Sequence, residues 1–580
     1  MKLSKPQFIK FKNLITPLFL ITIIILGIYC SSGIFRYYFF KTHDSDAHIA
    51  RSLDAIVAME EDHFPLRWAG SLNYSCGVPI FNFFYPLFYY LVFIINLFTK
   101  NVIISLKVIY FLSFIIGPIF MFLWLKKETK DNWGAFIGAL LYLFLPYRFL
   151  LIYVRNSPEF LAYMILPILL YQITCFCQRL KDEKKSLIAG FWVSISIALL
   201  IMAHNLVALI TLPVVISWLI YKFWSFKLYR KKANFILILG IIFSAIGFSA
   251  FFWGPMIFEQ DNTQLGTMGV YEYYHHFPTV RQLIRSPWGF YYSLVGSEDG
   301  MSFMLGYAQW FILGLTVVFL CFSLLKWGIR KTIKVNQELF FWLLFSGLFL
   351  FLMWARSQFV WELLTPLQRI QFPWRLLGVV GLTIAAVAGF WLAAVKNKKI
   401  LFLLIPIILF LAIYGNRNHI KVQPVDNLEW YRQPDSHPLR YRTTTVGDDI
   451  LNQAAVEACS PDDNFLLINN QVINNQISRG NTFGSVKFEW PKAETADMIK
   501  LNLEYFPGIY QINVNGKRVE KINNTLGRVN LEKIILNEGK NIIDWRIVQS
   551  PIEQRFNNIS LGFLVFWLIL IPVYEIKRRV

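Results

Sequence analysis

The chain has 580 residues, of which 56% are hydrophobic, 17% aromatic and only 16% charged. A soluble domain has about 25% charged residues and cannot cover this much apolar surface. The composition therefore indicates a polytopic membrane protein and excludes a cytosolic enzyme, a nucleic-acid-binding protein and a disulfide-rich secreted domain. In a soluble protein the net charge of +20 would indicate a polyanionic partner, but here the basic residues report topology.

Twelve apolar runs are long enough to cross a bilayer, since a span needs about 20 apolar residues and tolerates about 17. We predict them near residues 14–30, 102–125, 134–150, 159–178, 186–203, 205–221, 234–253, 307–325, 339–354, 376–395, 400–414 and 559–574. A further apolar run, 79–98, begins among Pro79, Asn82 and Pro86.

The basic residues set the predicted orientation, because Lys and Arg in short loops mark the cytoplasmic side. The clusters of basic residues all fall on the cytoplasmic side only if the run 79–98 does not cross the membrane. We therefore predict a re-entrant or interfacial helix there. Both termini are then cytoplasmic, with the protein in the plasma membrane. The segments predicted outside are 31–101, 254–306, 355–375 and 415–558.

This topology predicts three parts: a transmembrane domain (1–414), an extracytoplasmic domain (415–558), and a last span with a basic tail (559–580). Period-two alternation in Lys500–Phe506 and Tyr510–Ile522 predicts that the outer domain is a small β-sandwich. We see no catalytic constellation in it, and expect it to cover an active face or to grip a glycan.

Three cysteines, Cys30, Cys76 and Cys459, are predicted outside or near the outer boundary. The sequence leaves open whether two of them form a disulfide.

The middles of the predicted spans carry no Asp, Glu, Lys or Arg. An ion-coupled transporter usually needs such charges along its pathway. Charged residues gather instead at the outer ends of the spans, so we expect any chemistry at the outer face.

The first candidate site is HDSDAH (His43–His48), just after the first span. In a helix, Asp44, His48 and Arg51 share one face. In an extended chain, Asp44 and Asp46 point the same way and are able to share a divalent cation, Mg²⁺ or Mn²⁺. A carboxylate near the membrane boundary is suited to act as a general base. The alternative interpretation is a solvated polar loop.

The second group of candidates consists of Arg155 and Glu159 in the hairpin Tyr147–Tyr163, and His204 at a turn between two predicted spans. The alternatives are interfacial snorkelling of the arginine, a simple i,i+4 ion pair, and a structural histidine.

The third group is LQRIQFPWR (Leu367–Arg375), in which Arg369 and Arg375 flank three aromatic or proline residues. Arginine forks suit phosphate oxygens bidentately. The alternative is an aromatic belt with interfacial arginine. The pair His275-His276 is interpreted as part of a polar loop.

The order of these features resembles the GT-C superfamily of membrane glycosyltransferases: a basic start, one span, an acidic loop motif and a Pro-aromatic helix (Gly77–Tyr90). More closely, HDSDAH, FPLRW, YVRNSPEFLAY, AHN and QFPWR resemble the bacterial membrane-protein family labelled 6-pyruvoyl-tetrahydropterin synthase-related, over most of residues 1–395. The segment Tyr505–Lys517 is similar to the C-terminal domain of polytopic proteins of the YfhO type. The label is not an activity, since a soluble pterin synthase needs a zinc site whose histidine spacing is not found here.

GT-C enzymes use a lipid-linked sugar, usually a polyprenyl phosphate, and have a catalytic acid in the first outer loop. The resemblance implies that Asp44 takes the catalytic position, with Asp46 second and His48 orienting Asp44 or binding a metal shared with Asp46. The sequence departs from many relatives in having a single proline, Pro86, and in having His43 where they have a second carboxylate.

The predicted function is a membrane glycosyltransferase that moves a hexosyl or pentosyl unit from a polyprenyl-phosphate donor to an extracytoplasmic glycan or lipid. Residues expected to bind substrate are Arg155, Glu159, His204, Arg369 and Arg375. The alternative is a non-enzymatic flippase or exporter of a lipid-linked glycan. A third reading is a scaffold whose outer domain binds glycan, although twelve spans are more than an anchor needs.

Overall fold

The computed structural model describes residues 5–577 except 185, 265–271, 295–298, 396–397, 433–458 and 461. It is mostly helical, and its β-strands are confined to the C-terminal quarter. The helices are Lys5–Ser31 (α1), Ser45–Glu60 (α2), Ile80–Phe83 (α3), Leu87–Thr99 (α4), Val102–Thr129 (α5), Asn132–Leu143 (α6), Pro146–Leu150 (α7), Glu159–Lys181 (α8), Leu187–Ala203 (α9), Asn205–Ser225 (α10), Lys232–Phe248 (α11), Ala250–Phe258 (α12), Val280–Ile284 (α13), Tyr307–Val335 (α14), Gln337–Leu352 (α15), Gln358–Leu363 (α16), Thr365–Gln368 (α17), Leu377–Ala394 (α18), Lys398–Asn416 (α19), Leu428–Arg432 (α20) and Pro551–Lys577 (α21).

Among the described residues, nine helical segments are long and apolar enough to cross a membrane, or eleven if each of two bent helix pairs is one span. The prediction of a multi-pass helical protein is confirmed, but the count of twelve is too high by this measure. Two predicted spans, 234–253 and 339–354, fall on pairs bent by 64° and 93°. A third falls on α9, which has only 17 residues.

The run 79–98, predicted not to cross, forms the two short helices α3 and α4. Phe84 between them has an extended backbone. Pro86 follows two residues later, and a proline disfavours helical backbone before it because its ring clashes with the preceding residue and the preceding turn. Helix α4 has 13 residues, about 20 Å at 1.5 Å per residue, which is less than the roughly 30 Å of hydrocarbon that a span must cross.

The chain folds into two compact units. The helical unit contains residues 1–43, 107–245 and 270–426, and the sandwich unit contains residues 44–106, 246–269 and 427–580. The sandwich unit therefore combines α2–α4, α12 and α21 with all the described strands.

Small residues allow close helix packing within the helical unit. Gly134 and Gly138 on α6 face α18, where a Cβ on Gly138 would meet the carbonyl oxygen of Ala385 at 2.7 Å. Such small-residue contacts let two helix backbones approach closely. Nearby, α5 and α10 are joined by a buried ion pair, Lys222 Nζ to Glu128 Oε2 at 2.5 Å. The pairing satisfies two charges that burial would otherwise penalise.

Two five-stranded antiparallel sheets form the sandwich, which confirms the predicted C-terminal β-sandwich. The strands are Leu466–Ile468 (β1), Gln471–Val472 (β2), Asn475–Arg479 (β3), Phe483–Trp490 (β4), Glu494–Glu504 (β5), Tyr510–Val514 (β6), Lys517–Arg518 (β7), Ile522–Thr525 (β8), Arg528–Leu536 (β9) and Gly539–Ile547 (β10). Their orders are β2-β1-β5-β9-β8 and β3-β4-β10-β6-β7. Buried and exposed residues alternate along β4 and β10, as expected of strands with one face in a core.

A disulfide and a set of polar contacts hold the sandwich to the segment that follows α2. Cys76 is bonded to Cys459, which resolves the pairing that the sequence left open, and Cys30 is a free, buried thiol. The side chain of Asn73 accepts a hydrogen bond from the backbone N–H of Cys459 at 3.1 Å. Glu61 accepts bonds from the backbone N–H groups of both Asn481 (2.9 Å) and Thr482 (2.8 Å).

A buried polar network ties α21 to α3 and α12 within the same unit. The Asn82 amide donates to Glu553 at 2.6 Å and to Glu259 at 3.4 Å. Ser550 donates from Oγ to Glu259 and from its backbone N–H to Glu553 (2.8 Å). Arg67 donates to the Asn82 carbonyl oxygen at 3.1 Å. Burial, followed by the negative charge of Glu553, raises the pKa of Glu259 to about 7.

This pKa predicts a pH-dependent stability. The pKa of Glu259 in the folded protein lies above its ordinary value of 4.5. The contribution of Glu259 to the free energy of unfolding is therefore full below about pH 4.5, declines as pH rises, and is lost above about pH 7. Glu259→Gln, which is neutral at every pH, should remove this part of the decline. The measurement is the thermal midpoint of the detergent-solubilised protein from pH 5 to pH 8.

The matched control is Glu520→Gln, an exposed carboxylate of the same unit, which should keep the wild-type pH slope. An unchanged slope in Glu259→Gln would contradict the prediction.

Candidate functional site

The centre of the helical unit's polar site is one carboxylate shared by two guanidinium groups. Arg155 Nη1 lies 2.7 Å from Glu159 Oε1, and Arg375 Nε lies 3.2 Å from the same oxygen. Glu159 is fully buried, and the side chains of the two arginines are only 8% and 10% exposed. A buried carboxylate requires such pairing, because burying it alone is very costly.

The local sequence explains how these groups meet. The chain after α7 makes a π-helical turn over Leu151–Arg155 and then leaves the helix at Asn156, whose φ of 55° is left-handed. Pro158 next starts α8, with Glu159 in its first turn, where a negative charge is favoured by the helix dipole. Arg155 and Glu159 are thus brought together across a break in the helix, which differs from a simple i,i+4 pair on one helix.

Further hydrogen bonds fix the orientation of both partners. Tyr147 donates its hydroxyl to Glu159 Oε2 at 2.8 Å, and Ser157 donates to Oε1 at 3.3 Å. Arg375 donates through Nη1 to the carbonyl oxygen of Ile370 (2.8 Å) and to Gln371 Oε1 (2.9 Å). The site is therefore preorganised before any ligand binds.

Trp374 covers one side of the pair. The guanidinium of Arg155 lies over its ring, 4.8 Å from the centroid, and Phe372 stacks on the same indole at 5.0 Å. A cation over an aromatic face in a desolvated site is stabilising by about 2 kcal/mol. The QFPWR motif thus supplies both an arginine and an aromatic wall.

Asn156 is a candidate functional residue that the sequence interpretation missed. Its side chain is fully buried, and neither its Oδ1 nor its Nδ2 has a hydrogen-bond partner among the described residues. Buried polar side-chain atoms are nearly always paired, so an orphaned amide requires an explanation. Its position directly after Arg155 suits a polar ligand group. The only sign of it in the sequence is that asparagine tolerates a left-handed turn, and this property is equally typical of an ordinary loop.

A second polar group lies at the indole N–H of Trp374. The indole N–H donates to Ser293 Oγ at 3.2 Å, and Ser293 donates to Asp299 Oδ1 at 3.1 Å. His276 Nδ1 lies 2.9 Å from the same hydroxyl oxygen, and burial lowers the pKa of His276, opposed by Asp299. His276 was interpreted as a loop residue, yet it belongs to the surroundings of the arginine pair.

The remaining substrate-binding candidates behave differently. His204 is buried beside the cluster, close enough for the charges of Glu159 and Arg375 to act on its ring. Its Nδ1 accepts a bond from the backbone N–H of Val207 at 3.4 Å, which caps α10. Arg369 is exposed at the end of α17 and is not part of the cluster.

The HDSDAH motif lies at the start of α2, so its helical alternative is the correct one. Asp44 is the residue that precedes the helix, is half-buried, and makes no capping hydrogen bond. His48 Nδ1 lies 3.1 Å from the hydroxyl of Tyr89. Arg51 also hydrogen-bonds Tyr89, and the charge of Asp44 acts on the same phenol. Asp44, His48 and Arg51 therefore share surroundings built around Tyr89 of α4.

Asp46 has a separate role, since it accepts a hydrogen bond from the hydroxyl of Tyr431. A helical start does not direct Asp44 and Asp46 the same way, which removes the geometric basis for a shared cation. Within the described ranges, no group of three or more His, Cys, Asp or Glu side chains is arranged to hold a metal. Mg²⁺ and Mn²⁺ favour more oxygen ligands than this pair supplies, so Asp44 and Asp46 do not fit a bound Mg²⁺ or Mn²⁺ ion.

The fold and these sites define a polytopic helical membrane protein with an antiparallel sandwich. A family model described as "6-pyruvoyl-tetrahydropterin synthase related domain; membrane protein" matches residues 81–419. The match spans more than half of the chain, and the chain belongs to this family. This confirms the family to which the sequence motifs pointed.

A relative in Lactococcus lactis subsp. cremoris (strain MG1363), an uncharacterized protein, is 26% identical over 250 residues, which are 41% of this chain and 39% of that protein. The chain thus spans about two fifths of the length of the curated relative that it matches.

Two structures of the Archaeoglobus fulgidus oligosaccharyltransferase are also similar, each with a TM-score of 0.43 and 12% identity. The apo form matches 71% of this chain and 57% of that one, and the form tethered with an acceptor peptide matches 77% and 61%. A TM-score this low does not establish a common fold.

Removing the shared carboxylate should destabilise the helical unit strongly. Glu159→Gln leaves two buried guanidinium groups without their carboxylate, and we expect a loss of about 3–5 kcal/mol. The measurement is unfolding by SDS titration in mixed micelles.

The control is Asp426→Asn, which breaks the exposed ion pair with Lys41 (2.8 Å; 81% and 55% exposed) and should change stability by less than about 1 kcal/mol. Equal effects of the two substitutions would show that Glu159 is not the centre of the cluster.

Proposed function

We propose that this protein is a GT-C-type glycosyltransferase that moves a sugar from a polyprenyl-phosphate donor to an extracytoplasmic acceptor. The observations that carry the proposal are two arginines that share one buried carboxylate and the fully buried, orphaned amide of Asn156, the residue that follows Arg155 in the chain. This arrangement suits a ligand that has both an anionic group and hydroxyl groups, as a sugar phosphate does.

In the proposed reaction, Arg155 and Arg375 bind the phosphate of the donor. Each guanidinium has five N–H donors in a planar fork, and neither spends all of them on Glu159. Positive charge in a desolvated site stabilises the phosphate as it leaves with the bonding electrons of the broken C–O bond. Asn156 hydrogen-bonds the donor, and His204, with its Nδ1 committed to the helix cap, supports the cluster.

Asp44 is proposed independently as the acceptor's base, from the resemblance of the HDSDAH motif to GT-C enzymes. Its carboxylate is not spent on capping α2. It removes the proton from the acceptor hydroxyl while that oxygen attacks the anomeric carbon. His48 and Arg51, both bonded to Tyr89, fix the surroundings of the base, and Asp46 is assigned a structural role. Arg369 is exposed, so we propose that it contacts lipid headgroups and does not bind the donor phosphate.

We propose the plasma membrane as the location, with both termini cytoplasmic and the sandwich unit's strands outside. The alternation of basic clusters supports this orientation. The Cys76–Cys459 bond supports it too, because disulfides persist in oxidising compartments.

Asp44→Asn should lower the rate of sugar transfer by about 10²–10⁴-fold, the usual contribution of a positioned general base. The assay is release of sugar from radiolabelled polyprenyl-phosphate hexoses and pentoses by the purified protein. The matched control is Asp62→Asn, an exposed carboxylate after the same helix, which should transfer at the wild-type rate.

Normal transfer by Asp44→Asn would remove Asp44 from the chemistry. Donor binding without transfer by the wild type, across the whole panel, would instead favour the flippase.

Asn156→Gly should weaken binding of the donor by about fivefold or more, the equivalent of one lost neutral hydrogen bond. Its stability should not fall by more than about 1 kcal/mol, because the deleted amide has no partner and glycine tolerates the left-handed backbone. Binding is measured by displacement of a labelled polyprenyl phosphate sugar, and stability by SDS titration.

The matched control is Asn73→Gly, at a residue that is equally buried and has the same φ of 55° but whose amide is hydrogen-bonded. It should lose stability by about 1–3 kcal/mol and keep donor affinity. A destabilised Asn156→Gly variant with normal donor affinity would make Asn156 purely structural.

A further inference from the structure

The sandwich has an open groove that no step of the proposed reaction uses. Its volume is about 1240 Å³, larger than the roughly 300–1,000 Å³ of sites for compact small molecules. One wall is the run Gln471–Gln476, which leads from β2 of one sheet to β3 of the other, and a second wall comes from β4, β10 and the turn at Pro491. Its size and openness suit an extended chain.

The first wall is rich in amides that are not engaged by the protein. Gln471, Asn474 and Gln476 are exposed, and none makes a side-chain hydrogen bond to the residues that the structure describes. An amide offers both a donor and an acceptor. A hydroxyl group does the same, so a row of amides is complementary to a polyhydroxylated ligand.

The second wall is charged but balanced. Lys487 and Lys540 face the groove together with Glu489 and Glu494, and Lys540 lies directly opposite Glu489 in the β4–β10 register. With two charges of each sign, the groove has little net attraction for a polyanion, although the whole chain carries a net charge of +20. This balance favours an uncharged ligand.

Apolar surface completes the groove. Val472 and Ile542 are 59% and 37% exposed, and Ile542 is the cross-strand neighbour of Lys487, which in turn neighbours Gln476. Polar and apolar patches therefore alternate across the face of three paired strands. Sugar rings present the same alternation of hydroxyl edges and C–H faces.

Hydrogen bonds hold much of the groove in place. Its strands β3, β4 and β10 are paired, Trp490 Nε1 donates to Glu494 at 3.2 Å, and the buried Asn541 side chain is bonded to Asn515 at 2.7 Å. A preformed site avoids much of the entropy cost of ordering side chains on binding.

We infer that this groove binds an uncharged oligosaccharide chain. The inference does not depend on glycosyl transfer, since it requires only that the sandwich bind carbohydrate. A protein with an inactive transfer site would keep this binding, and a transferase with a blocked groove would still turn over its lipid-linked donor.

The test uses the full-length protein in nanodiscs and saturation-transfer difference NMR with chitotetraose, maltotetraose and cellotetraose. We expect at least one tetrasaccharide to bind. Asn474→Ala/Gln476→Ala should bind it at least about tenfold more weakly, because each neutral hydrogen bond contributes roughly a factor of five. The matched control is Asn523→Ala, an amide on β8 outside the groove, which should bind normally.

Both substituted side chains of the double variant are exposed, so folding should be preserved, and equal thermal midpoints check this. If none of the three sugars binds, if the double variant binds as tightly as the control, or if a neutral Gly-Ser octapeptide binds more tightly than any sugar, the inference is overturned. The transfer assay, run separately, reports on the proposed reaction alone.

Discussion

The helical unit's polar site depends on one buried carboxylate. Glu159 begins α8, Arg155 ends the preceding turn, and Arg375 comes from the approach to α18, more than two hundred residues later in the chain. In a medium of low dielectric constant, the attraction between such charges is strong and the penalty for separating them is stronger still. The ion pairs therefore fix three chain segments in one place and fix the direction of both guanidinium groups.

Two pairs of polar residues show the difference between side chains that are hydrogen-bonded within the protein and side chains that are not. Asn73 and Asn156 share the same buried, left-handed conformation, but only Asn73 is hydrogen-bonded. Asp44 and Asp46 are two residues apart, and only Asp46 is held by a tyrosine hydroxyl. A group that has been buried or positioned without a partner is costly to maintain, so it is where a ligand is to be sought.

The sequence predicted the helical membrane architecture and the C-terminal sandwich well, because long apolar runs and period-two alternation follow directly from burial. It failed to anticipate the helix breaks near Ser249 and Met353, since neither is marked by proline. Hydropathy measures how apolar a run is and not whether it is straight, so it predicts twelve spans where the described residues contain nine helical segments of sufficient length, or eleven spans if each bent pair is counted as one.

The site was foreseen in part. The sequence named Arg155, Glu159 and Arg375 in separate motifs, and the structure brings the three together. Arg369, six residues from Arg375 and chemically identical, is exposed. Sequence alone does not distinguish two arginines in one loop, because their burial is decided by tertiary contacts. Asn156 was missed for the same reason, since an orphaned amide is defined only by what surrounds it.

The mixed composition of the sandwich unit has a practical consequence. The chain just before β1 is joined to Cys76 by the disulfide of Cys459. The buried pair of Glu504 and Arg528 (2.7 Å) accepts a further hydrogen bond from Asn73, so the β-structure is completed by chain that precedes it by some four hundred residues. An excised β-fragment would expose these polar groups and carry an odd thiol. The sandwich is thus not a portable module: gene fusions, truncations and soluble fragments that cut it away from residues 44–106 divide one folding unit in two.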